Sequence, residues 1–148
     1  MSSFKHILVP VDFGDAMQPG VDLAISMAQK LDARLTLLHT FDVTPFTTLA
    51  RYAPPVDVGP IIASAERELA KVLASVQATW PKSDSAFRQG APQDAIIEAA
   101  GALGCDLIVI GTHGRHGVAR LLLGSVAERI VRLSPIPVLT VHPSAPAK

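Results

Sequence analysis

The sequence predicts one α/β domain built on an open, parallel, five-stranded sheet with helices on both faces. Three observations carry that expectation: short apolar runs of strand length recur along the chain, segments with apolar residues at helical spacing separate them, and glycine or proline marks the junctions. A length of 148 residues suits one core and is too short for two self-sufficient ones. Apolar residues make up 49% of the chain and aromatic residues 5%, so aliphatic and alanine packing must fill that core, and the composition argues against disorder.

The first strand is expected over residues 4–11, FKHILVPV, whose run Ile7, Leu8, Val9 is more continuous than the alternation of a half-exposed strand. Such a run requires cover on both faces. After Pro19, the spacing of Val21, Ala24, Ile25, Ala28 and Leu31 predicts a helix with one buried stripe. Residues 33–41, ARLTLLHTF, return to strand character, and the proline-containing connection 42–59 follows, with room for a short helix and a position suited to a lid. Ile61, Ala65, Leu69, Val72 and Val76 then mark a surface helix. A weaker strand over 83–88 leads through Gly90 and Pro92 into a helix carrying Ile96, Ile97, Ala99 and Ala100. The strongest strand signal is CDLIVIG, where Leu107, Ile108, Val109 and Ile110 run unbroken into Gly111. Leu122, Val126, Ile130 and Leu133 suggest a last helix, Pro135 stops it, and Pro137 opens the closing strand PVLTV.

Charge and cysteine usage narrow the function. Thirteen basic and 13 acidic residues give a formal net charge of 0, which argues against a broadly basic nucleic-acid surface. The single Cys105 has no internal disulfide partner and, beside LIVIG, reads as a small buried thiol. No apolar run approaches the length of a membrane span, and the N-terminal segment lacks a secretory signal, so a cytoplasmic protein is expected. The expected domain covers 1–143, with 144–148 a loose proline-rich tail.

The sharpest local feature is GTHGRHGVARLLLGS, from Gly111 through Ser125, set between a strand and a helix, where backbone amides can cradle phosphate oxygens. Gly111 suits the strand exit, Gly114 and Gly124 suit close backbone approaches, and Ser125 offers an amide and a hydroxyl. Arg115 and Arg120 either meet phosphate from the rim or serve the loop's solvation and ion pairing. His113 and His116 read as loop groups before proton carriers, since no partner acid or base is defined for them. Asp12, just past the first strand, stands on the side where ligands bind in such sheets; it is either a ligand or metal contact or a turn cap.

PVDF around Asp12, QGAPQDAI from Gln89, and GTHGRHGVARLLLGSVAER together resemble the universal stress protein family across nearly the whole chain. The nucleotide-binding branch of that family has two glycines separated by two residues, then nine residues, then glycine and a small hydroxyl residue. Gly111, Gly114, Gly124 and Ser125 keep that spacing. The resemblance implies a Rossmann-like sheet of strand order 3-2-1-4-5 and ATP with Mg²⁺ as ligands. It places the site at Pro10, Asp12, Thr40 or Phe41, Ile110, Gly111, Gly114, Arg115, Gly124, Ser125 and Val126, with Asp12 also at the metal. It further implies a homodimer paired through Pro137, Val138, Leu139, Thr140 and Val141, in keeping with an apolar edge strand that needs cover.

Three functions compete on these grounds. ATP binding that modulates conformation or partner contacts leads. Slow Mg²⁺-dependent hydrolysis or phosphoryl transfer is the enzyme alternative, although no GxxxxGK[ST] loop is present and PVDFGD lacks the HxGH pattern of nucleotidyl transferases. The third is a nucleotide-free module that binds a protein partner through its dimer surface or residues 44–59.

Overall fold

The structure, a computed structural model, describes residues 3–112 and 124–142. Among these residues the elements run β1 (His6–Pro10), α1 (Gln18–Leu31), β2 (Arg34–Phe41), α2 (Thr44–Leu49), α3 (Gly59–Thr79), β3 (Ser83–Gln89), α4 (Pro92–Ala102), β4 (Leu107–Gly111), α5 (Ser125–Leu133) and β5 (Val138–Val141). The strands pair in parallel in the order β3-β2-β1-β4-β5, as expected. The tail expected over 144–148 lies outside the described residues.

The continuous apolar runs are explained by two cores, one on each face of the sheet. Ile7, Val9, Leu35, Leu37, Leu107 and Val109 meet α1 and α3 on one side, through Val21, Ala24, Ala28, Leu69 and Val76. Leu8, Leu38, Ile108 and Ile110 meet α4 and α5 on the other, through Ile96, Ala99, Ala100, Ala127 and Ile130. Because successive side chains of a strand point to opposite faces, each central strand needs apolar residues at every position. Among the described residues, no helix is long and apolar enough to cross a membrane.

Several elements depart from the sequence pattern in detail. The α1 helix starts at Gln18, one residue before Pro19, which sits in the first turn where a missing N–H costs nothing. In α3 only Leu69 and Val76 are buried, while Ile61 is 39% exposed and Ala65 is half-buried. Twenty-one helical residues span roughly 32 Å, whereas the seven residues of β3 beneath them span roughly 23 Å, so the first turns of α3 overhang the sheet. The connection 42–59 does contain a short helix, α2, none of whose residues is buried. In α5 the buried pair is Ala127 and Ile130; Leu133, at the helix end, is 50% exposed because Ser134 turns the chain into extended backbone. Leu122 lies outside the described residues.

Cys105 is buried against the second core, as expected. Burial, reinforced by the charges of Asp106 and Asp84 and opposed by Arg34, pushes its thiol up to about 11, so it is an unreactive packing group.

A polar line that no sequence motif reveals crosses the N-terminal end of the sheet. His6 Nε2 lies 2.7 Å from Thr36 Oγ1, and that hydroxyl donates to Asp84 Oδ1 at 2.5 Å. Arg34 pairs with the same carboxylate, and the Lys5 and His6 amides donate to Asp106 at 2.9 and 3.0 Å. Burial, then the Arg34 charge, lowers the pKa of His6, against the opposing pull of Asp84, Asp106 and the Leu103 carbonyl.

Candidate functional site

The strand order reverses at β1: the chain crosses to β2 and β3 on one side and to β4 and β5 on the other. In an open parallel sheet this leaves a crevice at the C-terminal ends of β1 and β4. Two of the expected segments, Asp12 after β1 and Gly111 closing β4, come together there, although they lie far apart in sequence. Gly20 in the first turn of α1 completes the wall, since a Cβ at that position would lie 3.7 Å from the Gly111 nitrogen.

After β4 the chain is tied to its neighbours before and after the glycine-rich segment. The Thr112 N–H donates to the Val141 carbonyl at 3.0 Å, and the Thr112 hydroxyl lies 3.2 Å from His142 Nδ1. That side chain is therefore buried toward β5. The Gly124 N–H donates to the Thr112 carbonyl at 2.6 Å and closes the base of the intervening segment. Gly124 has ordinary extended backbone, φ −61° and ψ 156°, which any residue can adopt. Its requirement for glycine is one of space, because a Cβ there would stand 2.8 Å from the Thr112 carbonyl oxygen.

Ser125 follows as the exposed first residue of α5, and Val126 is half-buried on the second core. The helix has no side-chain hydrogen bond at its N-cap. An α-helix leaves its first-turn amides without internal partners. Gly114 and Arg115, with His113, His116 and Arg120, lie outside the described residues.

On the β1 side, Pro10 ends the strand half-buried, and the Asp12 carboxylate accepts the Gly14 N–H at 2.8 Å, the turn-capping bond that competed with a ligand role. Ile110 is buried in the second core, so its side chain serves packing. The two candidates at the end of β2 part company: the Phe41 ring stacks on Phe46 of α2 with centroids 5.9 Å apart, while Thr40 lies half-buried on the opposite face of the strand.

Three further residues at this end of the sheet are not among the expected site residues: Phe13, which closes PVDF, and His39 and Phe87, which belong to no motif. Phe13 adopts φ 62°, in the left-handed region, and its ring stacks on the His39 imidazole at 4.3 Å. His39 Nδ1 lies 2.7 Å from the Val11 carbonyl oxygen. Phe87, the cross-strand register partner of His39, approaches the imidazole at 5.7 Å. With so few aromatic residues in the chain, the coincidence of Phe13, His39 and Phe87 near the ends of neighbouring strands was the available signal, but it required the strand order.

The family model described as the universal stress protein family matches residues 3–142. A universal stress protein of Methanocaldococcus jannaschii is 32% identical over 139 residues, covering 93% of this chain and 82% of its own. Among solved structures, a universal stress protein in complex with cAMP matches with TM-score 0.71 at 23% identity, covering 97% of this chain and 100% of that one. The universal stress protein from Archaeoglobus fulgidus in complex with dAMP matches with TM-score 0.69 at 19% identity, covering 94% and 98%. At these identities the structural likeness speaks for the fold.

Proposed function

The chain belongs to the universal stress protein family, and from that premise we propose that it binds ATP in the crevice between β1 and β4, where nucleotide occupancy modulates its conformation or partner contacts. The observation that carries this reading is the meeting, at the switch point of the sheet, of the Asp12 turn with a strand exit and helix start closed by the Gly124–Thr112 hydrogen bond. That arrangement puts the start of α5, with Gly124 at its N-cap, where its first-turn amides can meet an anion. The glycine spacing through Ser125 supports a phosphate ligand. Two structural neighbours hold adenine nucleotides, which supports the base.

A divalent ion fits this site only in company with the phosphates. Among the described residues, no group of three or more His, Cys, Asp or Glu side chains could hold a metal. Asp12 is the carboxylate at the β1 exit, and its Oδ1 is already engaged by Gly14. Mg²⁺ would then take most of its oxygen ligands from phosphate and water, with Asp12 orienting that shell.

Pairing of two chains through β5 belongs to the same proposal. β5 lies at the sheet edge with each of its residues half-buried, and α5 beside it leaves Val131 and Leu133 exposed. An edge of this kind has unpaired backbone groups to offer a second copy.

The test is mass analysis of any nucleotide released from the purified protein, followed by calorimetry of the ligand-free protein with ATP, ADP and AMP. Expected is saturable ATP binding that weakens as phosphates are removed. Native protein that takes up none of the three would exclude the nucleotide reading and favour a protein-interaction module.

A further inference from the structure

We infer that His39 is the positioning residue of this site, a clamp that holds the backbone on both sides of Asp12; the inference deepens the nucleotide-site reading and rests on it for its functional meaning. One imidazole meets the residue before Asp12 and the residue after it. The Val11 carbonyl, which can only accept, lies 2.7 Å from His39 Nδ1, so that nitrogen carries the proton and donates. The Phe13 ring stacks on the same imidazole at 4.3 Å with 28° between the planes.

The backbone shows that the second contact is held against resistance. Phe13 sits at φ 62°, a region that aromatic residues avoid because Cβ crowds the backbone. Such a conformation persists only where the surroundings over-determine it. Here the left-handed residue lies between Asp12 and Gly14, whose N–H reaches back to Asp12 Oδ1 at 2.8 Å. The carboxylate is thereby aimed by a turn whose shape depends on the stack.

His39 is itself well anchored for this work. It lies in β2, between β1 and β3, and its register partner Phe87 approaches the ring at 5.7 Å with 45° between the planes. The turn that aims Asp12 is therefore referred to the sheet through His39. A carboxylate with a fixed direction loses less freedom when it meets a ligand.

The two tethers can be removed separately. His39→Phe keeps a ring for Phe13 and removes the donor to Val11, whereas His39→Asn keeps a donor nitrogen and removes the ring. Hydrogen exchange of the Gly14 amide, followed by NMR on nucleotide-free protein, reports the Asp12 turn directly. Each variant is expected to speed that exchange by about five- to tenfold, the factor a single hydrogen bond supplies. Remote amides such as Leu103, bonded to the Ala99 carbonyl in α4, should keep their native rates. A merely structural histidine would instead accelerate both sets together.

ATP calorimetry supplies the functional arm. His39→Phe should weaken binding by a similar factor in the native background and have no further effect in Asp12→Ala. Native Gly14 exchange in either folded variant overturns the clamp, as does an equal affinity loss with and without Asp12. A native protein that binds no ATP, with Gly14 loosened in both variants, refutes the nucleotide reading and leaves the clamp standing.

Discussion

Gly124→Ala puts the glycine-loop geometry at risk with a single methyl group. A Cβ at this position would lie 2.8 Å from the Thr112 carbonyl oxygen, closer than carbon and oxygen tolerate, and the atom it meets is backbone that cannot swing aside. The backbone angles are ordinary for alanine, so no conformational strain contributes. The two segments must separate, and the 2.6 Å hydrogen bond from Gly124 to Thr112 stretches or breaks. Loss of that bond with the accompanying overpacking costs about 1–3 kcal/mol. For a chain of this size each kcal/mol moves the thermal midpoint by about 2–4 °C, which gives an expected fall of roughly 2–12 °C. Gly101→Ala is the matched control, because nothing lies within 4 Å of the position its methyl group would take and alanine suits a helix, so its midpoint should hold or rise slightly. Calorimetric unfolding of the three proteins reads both effects, and ATP titration should show weaker binding for Gly124→Ala alone. A Gly124→Ala protein that melts with the native one and binds ATP equally would refute the close-approach argument.

Two further perturbations test other parts of the molecule. The carbonyls of Pro137 and Val141 accept from Ile108 and Thr112 of the β4 side, so by strand alternation the backbone of Thr140 points away from β4. Thr140→Pro should remove an outward N–H while sparing the β4 ladder, and sedimentation equilibrium should then show monomers; an intact dimer would place the interface elsewhere. Leu139 is a poorer probe than its edge position suggests, since it packs on the α1 face of the core. For His6, burial and the Arg34 charge hold the folded-state pKa below its ordinary 6.5, so the unfolded chain takes up the proton first as pH falls. Its contribution to stability is present in full above about pH 6.5 and is lost between there and the lower folded-state value. Thermal midpoints measured from about pH 7.5 down to 5 should fall more steeply for the native protein than for His6→Gln, and parallel profiles would remove His6 as the cause.

The resemblance in the sequence and the pattern of apolar residues each led to a correct part of the fold. Ile7 to Val9 and Leu107 to Ile110 read as strands covered on both faces because every residue along them is apolar, and burial on two faces is what that pattern records. Pro92 and Pro135 marked a helix start and a helix end because a missing N–H and a fixed φ act locally. Patterns that depend on how far a helix overlaps its sheet were less legible: Ile61 and Leu133 have helical spacing, yet they fall where α3 overhangs the strands and where α5 ends.

By itself the sequence determined the element order, most of the apolar faces and the inert setting of Cys105, since each depends on neighbours along the chain. Tertiary structure alone decided that Gly124 is needed for space beside Thr112, that Phe41 turns to Phe46, and that His39 touches both flanks of Asp12. Those contacts join residues brought together by parallel crossovers. A contact across such a connection leaves no period or motif in the sequence, because its geometry is set by strand order and register.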